Sequence, residues 1–294
     1  MKRKEEKYEI PAGKATYLRE EISRHLPIFE FRKGHQHTYI TTVYLDTEEL
    51  DFYNKARSYY DDNLKIRVKE YYYQNSPPRP SKNGTAPAPS WHVLDYCFLE
   101  IKERIGGLVV KRRFEVPKSL LGRLIKGEDV WDELVSSRSG IEFTGMVDVY
   151  REFRNFLKHF RVFPKSIINY RRSVFQRKEE ELRITFDDEI AVYEPVPGLY
   201  ESTGSLARSF LGRPRKLVES VILEVKCQNG QPEWLVQLME NISPKRFSKF
   251  TSSLSILTQE LPRPVSEGSV TDLHAGIGGE RDSGDTTQVS RIQL

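Results

Sequence analysis

Five short segments of the chain alternate apolar with charged residues, and this pattern most strongly limits the fold. They are residues 64–69, 99–102, 110–114, 182–187 and 223–226. Because successive side chains of a β-strand point to opposite faces, each segment has one apolar face and one ionic face. The pattern predicts an antiparallel sheet that packs its apolar face against helices and keeps a polar face on the other side.

A glycine turn fixes how two of these segments pair. Residues 105–108, Ile-Gly-Gly-Leu, are typical of a two-residue hairpin turn. Counting back from it places Lys102 opposite Lys111 and Glu100 opposite Arg113. Two opposed lysines repel each other unless an anion lies near them. For Glu100 we expect an ion pair with Arg113, and a role as a second metal ligand is the alternative.

The ionic faces of the five segments are mainly basic. The whole chain has 46 Lys+Arg and 42 Asp+Glu, a formal net charge of only +4. The basic residues on these faces are Lys65, Arg67, Lys69, Lys102, Lys111, Arg113, Arg183 and Lys226, and the acidic ones are Glu100, Asp187 and Glu224. If the sheet closes into a barrel with this face inside, the result is a cationic tunnel suited to a polyphosphate-like anion.

A nucleic-acid-binding face is the competing interpretation of such a basic surface. It requires exposed aromatic residues between the cations, on which bases can stack. The segments instead place Leu, Ile and Val between the charges. This composition favours the tunnel.

Composition excludes several other classes of protein. With 38% hydrophobic residues the chain can bury a core, and no apolar run approaches the roughly 18–20 residues of a membrane span. The charged start of the chain rules out a secretory signal. The two cysteines, Cys97 and Cys227, are far apart and exclude a disulfide framework. We expect a soluble, cytoplasmic protein.

The chain divides into one folded domain and a tail. Residues 263–294 have no aromatic residue and are rich in glycine, which predicts a disordered tail after a domain of residues 1–262. The Pro-rich residues 74–90 predict a flexible insertion. Apolar spacing predicts helices over residues 12–26, 147–160, 233–242 and 248–261, with shorter ones over 48–56 and 118–125.

The order of short motifs resembles one protein family. The motifs lie at residues 5–8, 43–47, 65–67, 99–102, 110–114, 170–175, 182–187, 222–226 and 246–250. Together they resemble the VTC catalytic domain, the polyphosphate-polymerase branch of the triphosphate tunnel metalloenzymes within the CYTH-like superfamily. The similarity extends from about residue 5 to about residue 257.

The resemblance implies both a fold and an activity. The fold is α+β, an eight-stranded antiparallel β-barrel, the triphosphate tunnel, flanked by helices. The activity is transfer of the γ-phosphate of ATP to a growing inorganic polyphosphate chain, with Mn²⁺ or Mg²⁺ as cofactor. The implied partners are ATP and polyphosphate, with no nucleic acid; this chain has no membrane span, and a membrane partner stays open.

The resemblance also assigns site residues, position by position. The catalytic, phosphate-binding cations are Lys7, Lys65, Arg67, Lys102, Lys111, Arg172, Arg183, Arg246 and Lys249. Tyr170 and Ser248 match polar residues beside the substrate, and Glu224 matches the metal ligand. Alternation adds Arg113 and Lys226 to the substrate-binding face.

Two other functions remain open at this point. The same tunnel is a tripolyphosphate or nucleoside-triphosphate hydrolase if water replaces the acceptor phosphate. It is a non-catalytic polyphosphate-binding module if the catalytic residues do not act. The matches at Lys7, Arg172, Arg183, Glu224 and Lys249 favour catalysis over the module.

Overall fold

One antiparallel sheet of ten strands organises the protein. The computed structural model describes residues 4–59, 61–75, 90–137, 144–177, 179, 181–202 and 205–258. The strands are β1 (Lys4–Ile10), β2 (His37–Asp46), β3 (Asn63–Gln74), β4 (Trp91–Val93), β5 (Tyr96–Ile105), β6 (Leu108–Pro117), β7 (Phe163–Arg177), β8 (Leu182–Tyr193), β9 (Lys216–Val218) and β10 (Val221–Cys227). The helices are α1 (Ala12–Ser23), α2 (Asp51–Ser58), α3 (Lys118–Ile125), α4 (Trp131–Ser136), α5 (Thr144–His159), α6 (Leu199–Ser202), α7 (Glu233–Met239) and α8 (Lys249–Thr258).

The sheet curls so that its polar face is concave. Hydrogen-bonded strands follow the order β1-β10-β8-β7-β2-β3-β5-β6. β1 and β3 are five steps apart on this path, which is about 24 Å in a flat sheet. Yet Lys7 of β1 donates to the carbonyl oxygen of Phe247, and Lys65 of β3 donates to the hydroxyl of Ser248. Two neighbouring residues therefore contact both strands, which requires strong curvature.

The α+β class and a main path of eight antiparallel strands agree with the expectation from the sequence. β4 and β9 are short additions that pair with β3 and β8. A closed barrel is not confirmed. Within the described residues, β1 and β6 end the path and do not pair with each other.

Apolar side chains of the convex face pack against helices in two clusters. Behind β8 and β10, Phe186 and Leu223 belong to one cluster with Leu18 of α1. Behind β3 and β5, residues such as Ile66 belong to the other cluster with Phe153 of α5. Full burial of such a side chain contributes about 1.5–3 kcal/mol. This apolar packing holds the opposite, charged face in a fixed shape.

The predicted helices are confirmed, with shifted ends. α1, α3, α5, α7 and α8 lie within the expected segments or within a few residues of them. α2 begins at Asp51 rather than at residue 48, because the buried Asp46 carboxylate accepts the backbone N–H groups of Phe52 at 3.0 Å and Tyr53 at 2.8 Å. The six-residue α4 was not predicted, because so short a segment shows no helical period.

Two sequence predictions fall largely outside the described residues. Of the predicted insertion at 74–90, Gln74 instead ends β3 and pairs with Trp91. Asn75 donates its backbone N–H to the carbonyl of Ser90 at 2.9 Å, and residues 76–89 are not described. The predicted tail at 263–294 is not described either. Among the described helices, none is long and apolar enough to cross a membrane.

Candidate functional site

The concave face has two halves with different charge patterns. The half formed by β1, β10, β8 and β7, here called the mixed wall, carries Glu5, Lys7, Arg172, Arg183, Asp187, Glu224 and Lys226. The half formed by β3, β5 and β6, here called the basic wall, carries Lys65, Arg67, Lys69, Glu100, Lys102, Lys111 and Arg113. Each set lies at alternate positions of its strands, which places its members on one face.

Asp187 is the most enclosed carboxylate of the mixed wall. Its side chain accepts two hydrogen bonds from Arg172, from Nε at 2.6 Å and Nη2 at 2.7 Å, and a third from Lys249 of α8. Burial works to raise the pKa of Asp187, but Arg172 and Lys249 outweigh it and lower the pKa to about 2. Asp187 therefore stays ionised and fixes one arginine and one lysine.

Two carboxylates lie side by side at the other end of the mixed wall. The Nζ of Lys7 is 2.9 Å from Glu5 Oε1 and 4.0 Å from Glu224 Oε2. Lys226 contacts the same two carboxylates, Glu5 Oε2 at 3.5 Å and Glu224 Oε1. Burial works to raise the pKa of Glu224, but Lys226 and Lys7 outweigh it and hold the pKa well below its usual range. The pair is ionised and shared between two lysines.

Lys65 and Lys102 of the basic wall are opposed across β3 and β5. Among the described residues, neither forms an ion pair with a carboxylate; Lys65 donates to the hydroxyl of Ser248 at 3.1 Å. Burial, then the charges of Lys102 and Lys7, lower the pKa of Lys65 to about 7. Burial also lowers the pKa of Lys102 to about 7, although Glu5 acts to raise it. This pair is the part of the site that most lacks a counter-ion.

Glu100 is the central carboxylate of the basic wall, with a side chain only 1% exposed. Its Oε2 accepts a hydrogen bond from Arg67 Nε at 2.7 Å and is 3.9 Å from Lys69 Nζ. Its Oε1 is 3.6 Å from Lys111 Nζ and 3.9 Å from Arg113 Nη1. The expected ion pair with Arg113 is present, although the stronger partner is Arg67.

The hairpin register predicted from the glycine turn is confirmed: Lys102 pairs with Lys111, and Glu100 with Arg113. The structure also supplies the anions that the opposed lysines need. Glu100 is the charged group that most affects Lys111, and Glu5 is the one that most affects Lys102. The protein's own carboxylates therefore offset part of the repulsion between the two lysines.

The start of α8 closes the site beside β7. Lys249 Nζ lies 4.7 Å from the ring centre of Tyr170, and the Arg172 guanidinium lies 5.3 Å from the same ring. Tyr170 is 2% exposed, so it is a packed platform under two cations. Phe250 anchors α8 against Tyr44 of β2 at a centroid distance of 5.1 Å. The helix thus delivers Ser248 and Lys249 to the concave face.

The structure brings most of the predicted site residues together. On or beside the concave face lie Lys7, Lys65, Arg67, Lys102, Lys111, Arg113, Tyr170, Arg172, Arg183, Glu224, Lys226, Ser248 and Lys249. Arg183 lies at the edge of the cluster, opposite Lys226. Arg246 is exposed in the loop before α8, two residues before Ser248.

Three residues of the cluster were not predicted as site residues: Glu5, Lys69 and Asp187. Alternation had already placed Lys69 and Asp187 on the ionic faces without assigning them a role, and it would also have found Glu5, which lies two positions before Lys7. Among the described residues, no group of three or more His, Cys, Asp or Glu side chains is placed to hold a metal ion by itself. The two cysteines are buried and not joined in a disulfide.

A family model described as the VTC domain matches residues 2–258 of the 294 residues of the chain. The chain belongs to the VTC domain family. The resemblance drawn from the nine motifs is thereby confirmed, and the concave face described above is the charged face of a VTC domain. No curated protein sequence matches the chain.

Solved structures resemble this VTC domain only distantly. The PH1819 protein of Pyrococcus horikoshii OT3 is 14% identical, with a TM-score of 0.38, covering 87% of this chain and 100% of its own. A Bacillus halodurans protein named a "putative adenylate cyclase" is 9% identical, with a TM-score of 0.39, covering 90% of this chain and 96% of its own. At these TM-scores the comparisons carry no argument about the site.

Proposed function

We propose that this VTC domain is a polyphosphate polymerase, which transfers the γ-phosphate of ATP to a growing inorganic polyphosphate chain in a metal-dependent reaction. One observation carries the proposal. A wall in which Lys65 and Lys102 form no ion pair among the described residues adjoins a wall that holds two ionised carboxylates, Glu5 and Glu224. A polyanion and a divalent cation need these two environments at one site.

The mixed wall fits a divalent metal. Glu224 and Glu5 are ionised oxygen donors that share the same two lysines, so they are close enough to act on one ion. Mg²⁺ is often held by one or two carboxylates together with waters and substrate phosphates, which agrees with a site that lacks a third protein carboxylate. Bound there, Mn²⁺ or Mg²⁺ would neutralise charge on the phosphate oxygens.

The protein's own residues supply positioning and charge. Arg172, held by Asp187 through Nε and Nη2, keeps Nη1 to bind phosphate. Lys65 and Lys102 bind the transferring phosphate, because neither forms an ion pair with a carboxylate among the described residues. The acceptor oxygen is already ionised, so it bonds to the γ-phosphorus while the bond to ADP breaks, and no general base is required.

The proposal includes the tunnel itself, with ATP and polyphosphate as partners and a cytoplasmic setting. The curvature that brings β1 and β3 to the same loop supports an enclosed site. The predicted site residues of both walls then line one passage.

The test incubates the pure protein with ATP and Mn²⁺ and resolves the products on a gel. Long polyphosphate together with ADP is the expected result. Orthophosphate without polymer, even with a short polyphosphate primer, would identify a hydrolase instead. Binding of polyphosphate without consumption of ATP would identify a binding module. An Asp188→Asn variant serves as a control and should make polyphosphate as the wild type does. Asp188 pairs with Arg171 and Arg19 outside the cluster, so this change removes a carboxylate without altering the site.

A further inference from the structure

Glu100 differs from the other buried carboxylates in how few hydrogen bonds it makes. A carboxylate has about four acceptor positions. Glu100 accepts one hydrogen bond, from Arg67, and its buried Oε1 accepts none among the described residues. Lys111 and Arg113 face Oε1 at 3.6 Å and 3.9 Å, distances of ion pairs rather than of hydrogen bonds.

Asp187 provides the contrast within the same site. Both of its oxygens accept hydrogen bonds from Arg172, and Lys249 adds another. Its partners are held tightly, whereas Glu100 holds Arg67 tightly and the two cations of β6 loosely. The Lys111 side chain is 45% exposed, so it is the partner of Glu100 that can most readily move.

The position of Glu100 makes it a competitor of any bound phosphate. Across β3, β5 and β6, Glu100 lies directly between its pairing partners Arg67 and Arg113. On the same face, the adjacent set of paired residues is Lys65, Lys102 and Lys111. An anion bound by those lysines lies close to a buried carboxylate that no protonation removes at ordinary pH. Close like charges in a desolvated site weaken binding substantially.

We propose that Glu100 is a positioning residue with two effects: it fixes Arg67, and it serves as a resting counter-ion from which an incoming phosphate takes over Lys111 and Arg113. Its fixed charge keeps the basic wall from binding polyphosphate so tightly that the chain cannot advance. The inference rests on the proposed function, since it specifies how the same site handles its polyanion.

Glu100→Gln tests this role, because it keeps the size of the side chain and removes the charge. Two quantities are measured for wild type and variant: the melting temperature of the empty protein, and the Kd of tripolyphosphate by calorimetry without metal. We expect the empty variant to melt at a lower temperature, since Arg67 and Lys69 lose their counter-ion. We expect its Kd for tripolyphosphate to fall at least about tenfold, because the repulsion is gone.

Glu103→Gln is the matched control. Glu103 lies three residues along the same strand but on the convex face, where it pairs with Arg112 at 3.3 Å. The change in net charge is identical, so a general charge effect would tighten binding in both variants. We expect the Kd of Glu103→Gln to stay within about twofold of wild type, as for surface substitutions away from the site.

The possible outcomes distinguish a failure of the inference about Glu100 from a failure of the proposed function. A Glu100→Gln variant that binds tripolyphosphate no more tightly than wild type overturns the inference, since a purely structural role lowers both stability and affinity. A variant that folds only with tripolyphosphate present supports it, and one that stays unfolded even with saturating tripolyphosphate overturns it. If wild type itself does not bind tripolyphosphate, the proposed function fails first.

Discussion

The two walls of the concave face are built from the same alternation but differ in how their charges are compensated. In the mixed wall, Arg172 meets Asp187 on the neighbouring strand. Lys7 and Lys226 each contact both Glu5 and Glu224, one on the lysine's own strand and one on the neighbouring strand. In the basic wall one carboxylate, Glu100, serves four cations, and Lys65 and Lys102 form no ion pair with the described residues. The same strand alternation can therefore produce a surface whose charges pair with each other, as in the mixed wall, or a surface with excess positive charge that favours binding of an anion, as in the basic wall.

Removing the mixed wall's carboxylate at Glu224 is expected to have the largest effect. If the metal binds at this wall, Glu224→Gln lowers metal-dependent turnover by about a thousandfold while the fold and most tripolyphosphate binding remain. Glu9→Gln, on the same strand as Glu5 but paired with Lys245 at 3.2 Å, is the control that should retain turnover. Normal turnover of Glu224→Gln at ordinary Mn²⁺ concentrations would place the metal elsewhere.

Asp187→Asn should convert part of the mixed wall into a second basic wall. Arg172 and Lys249 then keep buried charges without a carboxylate, so we expect the free energy of unfolding to fall by about 3 kcal/mol in urea titrations. Asp188→Asn, one residue along and on the other face, should cost about 1 kcal/mol, because its partners Arg19 and Arg171 are more exposed. Equal losses for the two variants would contradict the contrast between the faces.

Lys111→Met probes the basic wall in its empty and occupied states. Repulsion from Lys102 and attraction to Glu100 act on Lys111 in opposite directions, so we expect the free energy of unfolding to change by about 0.3 kcal/mol or less. Tripolyphosphate binding should weaken by about 1.5 kcal/mol, the contribution of one hydrogen bond to a charged group. Melting curves with and without tripolyphosphate measure both quantities.

The control for this change is Arg112→Met, on the convex face of β6. Arg112 pairs with Glu152 at 2.6 Å, so its loss should lower stability and leave the ligand-induced shift intact. If Lys111→Met behaves in the same way, the Lys111 side chain contributes to structure and not to the anion site.

The smallest predicted effect is a pH dependence of the basic wall. Lys65 and Lys102 have pKa values of about 7 in the empty protein against 10.5 when unperturbed. Between these pH values the unfolded chain binds more protons, so the empty protein becomes more stable as the pH rises from 7 towards 10.5. A bound phosphate favours the charged lysines, so the Kd for tripolyphosphate should rise about fivefold per lysine from about pH 7 to 8.

Calorimetry at several pH values measures this dependence, and Lys65→Arg provides the comparison. An arginine stays protonated throughout, and the ionisation of tripolyphosphate itself is the same for both proteins. The Kd of wild type divided by the Kd of Lys65→Arg should therefore increase with pH. A constant ratio from pH 6 to pH 9 would show that Lys65 is already fully charged when the site is empty.

Alternation predicted five strands of the main path and missed β1, β2 and β7. β3, β5, β6, β8 and β10 were recognised from their charged positions. β2 lies between β7 and β3 and is buried along nearly its whole length, so no period of two appears in its composition. Only the family resemblance pointed to its residues 43–47.

The sequence by itself determined the ionic faces, the hairpin register of Lys102 and Lys111, and the family, because turns and alternation act over a few residues. Apart from the Glu100–Arg113 pair across the hairpin, the tertiary structure decided which carboxylate compensates which cation. Glu100 reaches Arg67 over 33 positions, and Asp187 reaches Lys249 over 62. Such pairings depend on strand order and on curvature, and both arise only when the apolar face packs against its helices.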